Sequence, residues 1–326
     1  MPTISVLMPV YNTPVPFLRE AVQSILDQTF QDFEFLIVDD GSTGETRDYL
    51  NQLSDPRIRL LRNERNLGIT KSLNIGLRAA QGRYIARMDG DDVSFPERFE
   101  KQLAFMQNNP DVVVCGSRLL TDTNKTTRLD VCSESREQYR VRMLFSNPGP
   151  AHSTAFIDRE ALHAHAIEYD ERLVYAQDYG LWSSLIAYGR ICILPEVLLF
   201  RRRTKDCITV KHRAKQIQCN KIVQKRLLSQ LLGKVTDEEV DFHYYHSTGN
   251  FPDALFTLQA ARWYKRLLDA NRTRGIYDQK LLKAYIKSIK KALLRHTIGV
   301  KAPIVKKVKD YFVTTLSARS NCNKKG

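Results

Sequence analysis

YIARMDGDDVSFPERFEKQLAFMQ, residues 84–107, carries a strand, an acidic turn and a helix in one run. Tyr84 to Met88 is short and largely apolar, and Asp89-Gly90-Asp91-Asp92 stops it, which predicts a strand ending in a turn. Pro96 to Gln107 has apolar residues at helical spacing, with a proline near the first turn where it is tolerated. The same alternation extends to both sides. Ile4 to Val10 (ISVLMPV) reads as a strand closed by Pro9 and the YNTPVP turn, and Phe17 to Leu26 as a helix. Phe33 to Val38 (FEFLIV) is a second strand, stopped by Asp39-Asp40-Gly41. Arg57 to Leu61 is a third, Thr70 to Ala80 a helix, and Val112 to Cys115 a further strand. Strands alternating with helices imply an α/β fold, a mostly parallel sheet with helices on both faces.

Ligands of such sheets sit beyond the carboxyl ends of the strands. Three motifs fall there: Pro9-Val10-Tyr11-Asn12, Asp39-Asp40-Gly41-Ser42 and Asp89-Gly90-Asp91-Asp92. The chain has neither GxGxxG nor GxxxxGK[ST], so the glycine-rich phosphate cradle of dinucleotide enzymes and P-loop ATPases is excluded. Carboxylates repel a diphosphate unless a divalent cation lies between them, and Asp89 and Asp91 could serve one ion. The alternative is a solvated acidic turn in which Asp92 or Ser94 caps the following helix.

Composition divides the chain. Lys+Arg number 24 against Asp+Glu 27 in residues 1–204, and 26 against 9 in residues 205–326, so the whole formal charge of +14 belongs to the second part. The expected organisation is a catalytic domain over 1–204 and a basic α-helical region over 205–326. The longest nearly apolar run, Ile191 to Phe200, is interrupted by Pro195 and Glu196 and is too short to span a bilayer. No signal peptide is expected. Cys115, Cys132, Cys192, Cys207, Cys219 and Cys322 are scattered without a CxxC, which argues against a disulfide framework or a zinc site.

SVLMPVYNT, FLIVDDGSTGET, RNLGITKSLNIGLRAAQGRYIARMDGDDVSFPERFEKQ and YAQDYGLW follow one another as in glycosyltransferase family 2, which the chain resembles over about residues 3–203. The resemblance implies the GT-A fold and inverting transfer from a nucleotide sugar, a UDP-sugar, to a hydroxyl of a lipid-linked or surface glycan, as in polysaccharide and lipopolysaccharide synthesis. It implies that Asp40 contacts the base, that Pro9, Tyr11 and Asn12 line base and ribose, and that Asp39 supports the loop. Asn66 and Lys71 would approach the nucleotide, or be ordinary surface residues. Asp89 would lie toward the ribose, Asp91 would hold Mn²⁺ or Mg²⁺, and Asp92 would assist. The base that takes the acceptor proton maps to Asp178, although Gln177 replaces the acid usual before it. Without the resemblance, Asp178 would read as a helix-start acid favoured by the dipole. Trp182 is either a sugar platform or core. His152 lies near the acceptor side or is structural. Arg201 and Arg203 meet the diphosphate or form a surface cluster, Arg203 standing where relatives carry a histidine.

Beyond residue 212 the pattern is helical. Ala214 to Leu232, Pro252 to Leu268 and Asp278 to His296 carry apolar stripes, and Gly275 is placed to cap a helix. The third helix sets Lys280, Lys283, Lys287, Lys290, Lys291 and Arg295 opposite its apolar face, and Lys301, Lys306, Lys307 and Lys309 follow. This reads as association with an anionic membrane surface, hence a cytoplasmic protein peripheral on the inner face of the membrane, or as a helical domain with a solvated basic exterior. Two other functions compete. Nucleic-acid binding through the basic region lacks a recognition motif, so no specific nucleic acid is expected. A nucleotidyltransferase shares the acidic α/β site but not the order of the motifs.

Overall fold

The computed structural model describes residues 1–122, 134–202, 212–248 and 254–299. The chain divides into two units, Met1–Tyr139 with Asn147–Val223, and Arg140–Ser146 with the residues from Gln224 onward. Packing thus divides the chain after Val223, whereas charge divides it at 204.

The first unit is built on strands β1 (Ile4–Val10), β2 (Phe33–Asp39), β3 (Ile58–Arg62), β4 (Tyr84–Arg87), β5 (Val93–Ser94), β6 (Val112–Thr121), β7 (Phe156–Asp158) and β8 (Arg190–Arg201). They form one sheet in the order β3-β2-β1-β4-β7-β6-β8-β5. The pairs β1–β2, β2–β3, β1–β4 and β6–β8 are parallel, and β7 enters antiparallel between β4 and β6. Helices α1 (Val15–Leu26), α2 (Gly44–Asn51), α3 (Ile69–Ala79) and α4 (Arg98–Asn108) connect the first strands. Every residue of β2 is buried, as a strand covered on both faces requires. Helix α3 lies so close to β1 that a Cβ on Gly76 would stand 2.1 Å from the Leu7 side chain.

Strand β8 takes in the whole interrupted apolar run Ile191 to Phe200. It extends from Arg190 to Arg201 and passes through Pro195 by a bulge, with Leu194 paired to Ser117 and Val197 to Arg118. Pro195 and Glu196 are exposed there, so the missing N–H of proline breaks no ladder bond. Beyond the sheet, α5 (Arg136–Phe145), α6 (Arg159–Ala164) and α7 (Gln177–Leu185) follow. Cys115, Cys192 and Cys219 are buried and form no disulfide among the described residues.

The second unit is helical: Arg213–Leu232 enters it, and Asp237–Thr248, Ala254–Arg274 and Gln279–Gly299 complete it. Gly275, at φ +63°, ends the third of these helices, its N–H donating to Asn271 O. Leu228, Leu231, Trp263, Tyr264, Leu267, Leu282 and Ile286 are buried. His243 lies among them with Nε2 2.8 Å from Leu144 O, and Nδ1 accepts from Trp263 Nε1 at 3.1 Å. Burial, with His246 nearby, lowers its pKa to about 4, so the ring is neutral. Leu282 and Ile286 spend the apolar face of the last helix on this packing, while Lys280, Lys283 and Lys287 are exposed. Among the described residues no helix is long and apolar enough to cross a membrane. Residues 300–326, with the later lysines of the basic tract, and Arg203 lie outside the described residues.

Candidate active site

The loops after β1, β2 and β4 meet at the carboxyl end of the sheet. The β1 loop turns at Asn12, which takes φ +46°. Asn12 N–H donates to Ser42 Oγ at 3.0 Å, and its Oδ1 accepts from Thr43 N–H at 2.9 Å, which laces the β1 and β2 loops together. Gly90 closes the group from the other side, its Cβ position 3.4 Å from both Val10 and Thr13. Tyr11 stands 50 % exposed beside this junction, and Pro9 is half-buried at the end of β1.

Both aspartates of the β2 loop organise backbone. Asp39 accepts from Ser42 N–H at 2.8 Å and from Arg62 Nε at 2.9 Å. Asp40 accepts from Asn63 Nδ2 at 2.7 Å, Leu67 N–H at 2.8 Å and Gly68 N–H at 2.9 Å. A carboxylate offers about four lone pairs, so one acceptor position of Asp40 remains for a ligand. These bonds draw the 63–68 loop onto the site. A Cβ at Gly41, where φ is +77°, would stand 2.6 Å from the Arg65 carbonyl carbon, so only glycine allows this approach. Asn66 is exposed on that loop. Lys71 is exposed at the start of α3, its Nζ 3.8 Å from Glu171.

The β4 loop concentrates charge. Asp91 is pushed up to about 6 by burial and by Asp89, and Asp92 to about 7 by burial with Asp89 and Asp91. Asp92 Oδ2 is buried without a hydrogen-bond partner. Asp89 pairs with Arg87, Nη2 to Oδ1 at 2.5 Å. Arg202 holds the loop from outside: its Nε donates to Asp91 O at 2.9 Å, its N–H to Asp92 Oδ1 at 3.2 Å, and its side chain pairs with Glu20 over the Phe17 ring. Arg202 thus engages the acidic loop beside Arg87; it was not singled out from the sequence, and of its neighbours Arg203 lies outside the described residues.

Crowded, partly desolvated carboxylate oxygens fit a hard divalent cation, which would relieve their repulsion. Among the described residues no three His, Cys, Asp or Glu side chains are gathered for one ion. A cation here would complete its shell with phosphate oxygens and water.

The other wall carries Asp178 at the start of α7. Its Oδ1 accepts from Tyr179 N–H at 2.7 Å, and its Oδ2 from Asn147 Nδ2 at 3.1 Å. Burial raises its pKa against these bonds. His152 Nε2 lies 2.7 Å from the Tyr169 hydroxyl, and burial with Arg87 nearby holds the imidazole well below its ordinary pKa. Tyr169 is pinned to α3 by paired bonds with Asn74, both at 2.9 Å. Trp182 is 0 % exposed, and Gly149 leaves room for its indole. It offers no face to a sugar, which corrects the platform reading to a wall beneath the site. Burial raises the Tyr169 phenol, and Asp178 and Asp89 add to this against the charge of Arg87. Arg87, Asn147 and Tyr169 were not singled out from the sequence; each acquires its place only through tertiary contacts.

The Glycosyl transferase family 2 model matches residues 5–165. The chain is 32% identical over 213 residues to the amylovoran biosynthesis glycosyltransferase AmsE of Erwinia amylovora, covering 63% of this chain and 77% of that one. It is 28% identical over 246 residues to the UDP-Glc:alpha-D-GlcNAc-diphosphoundecaprenol beta-1,3-glucosyltransferase WfgD of Escherichia coli, covering 74% and 90%. The fold is similar to that of S. aureus TarS 1–349 in complex with UDP-GlcNAc, with TM-score 0.60 and 18% identity over 88% of each chain.

Proposed function

This chain belongs to glycosyl transferase family 2, and from that premise we propose that it transfers a sugar from a UDP-sugar to a hydroxyl of a lipid-linked glycan with inversion, using Asp178 as the base. The observation that carries this reading is the chain of contacts from the acidic β4 loop to the Asp178 helix: Arg87 N–H donates to Ala155 O, and three residues earlier His152 bonds the Tyr169 hydroxyl and meets edge-on the Trp182 ring of the helix that Asp178 opens. Asp40, Pro9, Tyr11, Asn12 and Asn66 would hold the nucleoside, with Asp89 toward the ribose. A divalent cation, Mn²⁺ or Mg²⁺, held by Asp91 with Asp92 assisting, would offset the charge that grows on the departing diphosphate. Arg202 fixes the loop that presents these carboxylates. Asp178 takes the acceptor proton as the hydroxyl attacks the anomeric carbon. Its raised pKa brings it toward the working pH, which suits a general base. Lys280, Lys283 and Lys287 present positive charge to an anionic lipid surface, each contributing about 1 kcal/mol when close to it.

The test is a thermal-shift series with nucleotide sugars and Mn²⁺, followed by identification of the released product. A UDP-sugar should raise Tm, since saturation to about 100 times Kd stabilises by roughly 2.7 kcal/mol. Turnover should release UDP. Release of pyrophosphate would identify a nucleotidyltransferase instead, and no response to any UDP-sugar would remove the donor assignment.

Asn147 gives a sharper test of the base. Its Nδ2 donates to ionised Asp178 and so favours the charged form. Asn147→Ala should raise the Asp178 pKa further, and the acid limb of kcat/KM against pH should move to higher pH. Rates at the acid end should fall about tenfold, the worth of one hydrogen bond to a charged group, with the alkaline plateau unchanged. An unshifted limb would mean that Asp178 does not govern it.

A further inference from the structure

Arg87 closes strand β4 two residues before Asp89 and is 2 % exposed. One of its donors, Nη2, holds the Asp89 carboxylate, while Nε and Nη1 are buried without a hydrogen-bond partner. A neighbouring arginine shows the contrast. Arg98, equally buried, gives Nε to Gln102, Nη1 to the Met88 sulfur and Nη2 to the carbonyls of Arg87 and Ala155. That is an arginine used as structural glue. The Arg87 guanidinium bonds no carbonyl among the described residues; its partner is a site carboxylate. Leaving buried charged donors unmade costs about 1–3 kcal/mol, and such costs persist where function requires them. Its charge also reaches Asp91, Asp92, His152, Tyr169 and Asp178.

We propose that Arg87 is a resident cation of the donor site: its ion pair withholds Asp89 from a divalent ion, so that the free protein binds the ion weakly through Asp91 and takes it up together with a diphosphate. Asp89 is 34 % exposed at its side chain and lies beside Asp91, so it would be a natural ligand if it were not already neutralised. With Asp89 occupied, the ion needs phosphate oxygens to complete its shell. Ion and nucleotide then strengthen each other's binding by the same factor. Arg87 is thus a positioning residue, and the proposal rests on the metal-dependent reading above.

The experiment titrates Mn²⁺ alone into the full chain without nucleotide and reads bound ion by electron paramagnetic resonance or calorimetry. Arg87→Gln should tighten Mn²⁺ binding about tenfold, the scale on which groups behind metal ligands act. Arg87→Lys, which keeps the charge, should stay near wild type. Asp89→Asn should leave affinity within about twofold in the wild-type background and erase the gain in the Arg87→Gln background, the coupling expected of a contacting pair. A structural role would lower Tm in Arg87→Gln and leave Mn²⁺ affinity unchanged or weaker, which would overturn the proposal. If Arg87→Gln does not fold, Asp89→Asn decides alone: a loss as large as that of Asp91→Asn overturns it. If Asp91→Asn costs no affinity, the metal-dependent reading itself fails, and the role of Arg87 with it.

Discussion

Asp178→Asn is expected to slow sugar transfer about a thousandfold, the scale of a positioned general base, while leaving the Kd for UDP with Mn²⁺ unchanged. The change is isosteric and removes only the capacity to accept a proton. One hydrogen bond must readjust, because Asn147 donates to Asp178 Oδ2 while its own Oδ1 accepts from Gly149 N–H. That costs about 1 kcal/mol. Against it stands the burial that raises the Asp178 pKa. For an acid whose folded pKa exceeds its unfolded value, the ionised form destabilises the fold once pH rises above the unfolded pKa. A neutral isostere avoids that cost, so Tm should hold. The proposed nucleotide contacts lie on the loops after β1, β2, β3 and β4, none of which bonds Asp178 among the described residues, so donor binding should survive. Transfer at the wild-type rate by a folded Asp178→Asn protein would eliminate this residue as the base.

The sheet was legible where burial on both faces demands a continuous apolar run. Ile4 to Val10 and Phe33 to Val38 were read at nearly their observed limits. It was illegible where tertiary pairing makes the strand. Val93–Ser94 exists only because it meets Phe200 and Leu199 across an antiparallel edge, and two residues carry no periodicity. Strand β8 is hidden in the sequence because Pro195 and Glu196 interrupt its apolar run, and only the bulge opposite Ser117 and Arg118 lets the strand continue. The site follows the same rule. Acidic turns that stop apolar strands announce themselves, so Asp39, Asp40, Asp89 and Asp91 could be named. Arg87 could not, since one arginine at a strand end reads as an outward-facing residue, and its burial depends on Asp89 and on the residues that close over it. Asn147 lies 31 positions from Asp178, and Asn74 lies 95 from Tyr169. No local pattern encodes either contact.

Asp91→Asn should separate stability from function in opposite directions. In the protein without ligand, the Asp91 carboxylate is partly desolvated, lies beside Asp89, and has its pKa pushed up to about 6. Arg87 and Arg202 favour the charge, but burial and Asp89 outweigh them. Because the folded pKa lies above the ordinary value, ionised Asp91 opposes folding at neutral pH, and stability should fall as pH rises toward and past 6. Removing the charge should therefore raise the ligand-free Tm, by an amount corresponding to roughly 1–2 kcal/mol after allowance for partial exposure. The same change should lower transfer by on the order of 100-fold or more, since the cation's share in stabilising the leaving diphosphate is several kcal/mol. The Mn²⁺-dependent part of the thermal response to UDP should vanish. A carboxylate kept at a cost to the ligand-free fold is the behaviour expected of a residue retained for binding. If Asp91→Asn were less stable and still gained stability from UDP with Mn²⁺, the acidic loop would be a structural turn, and the cation would have to be held elsewhere.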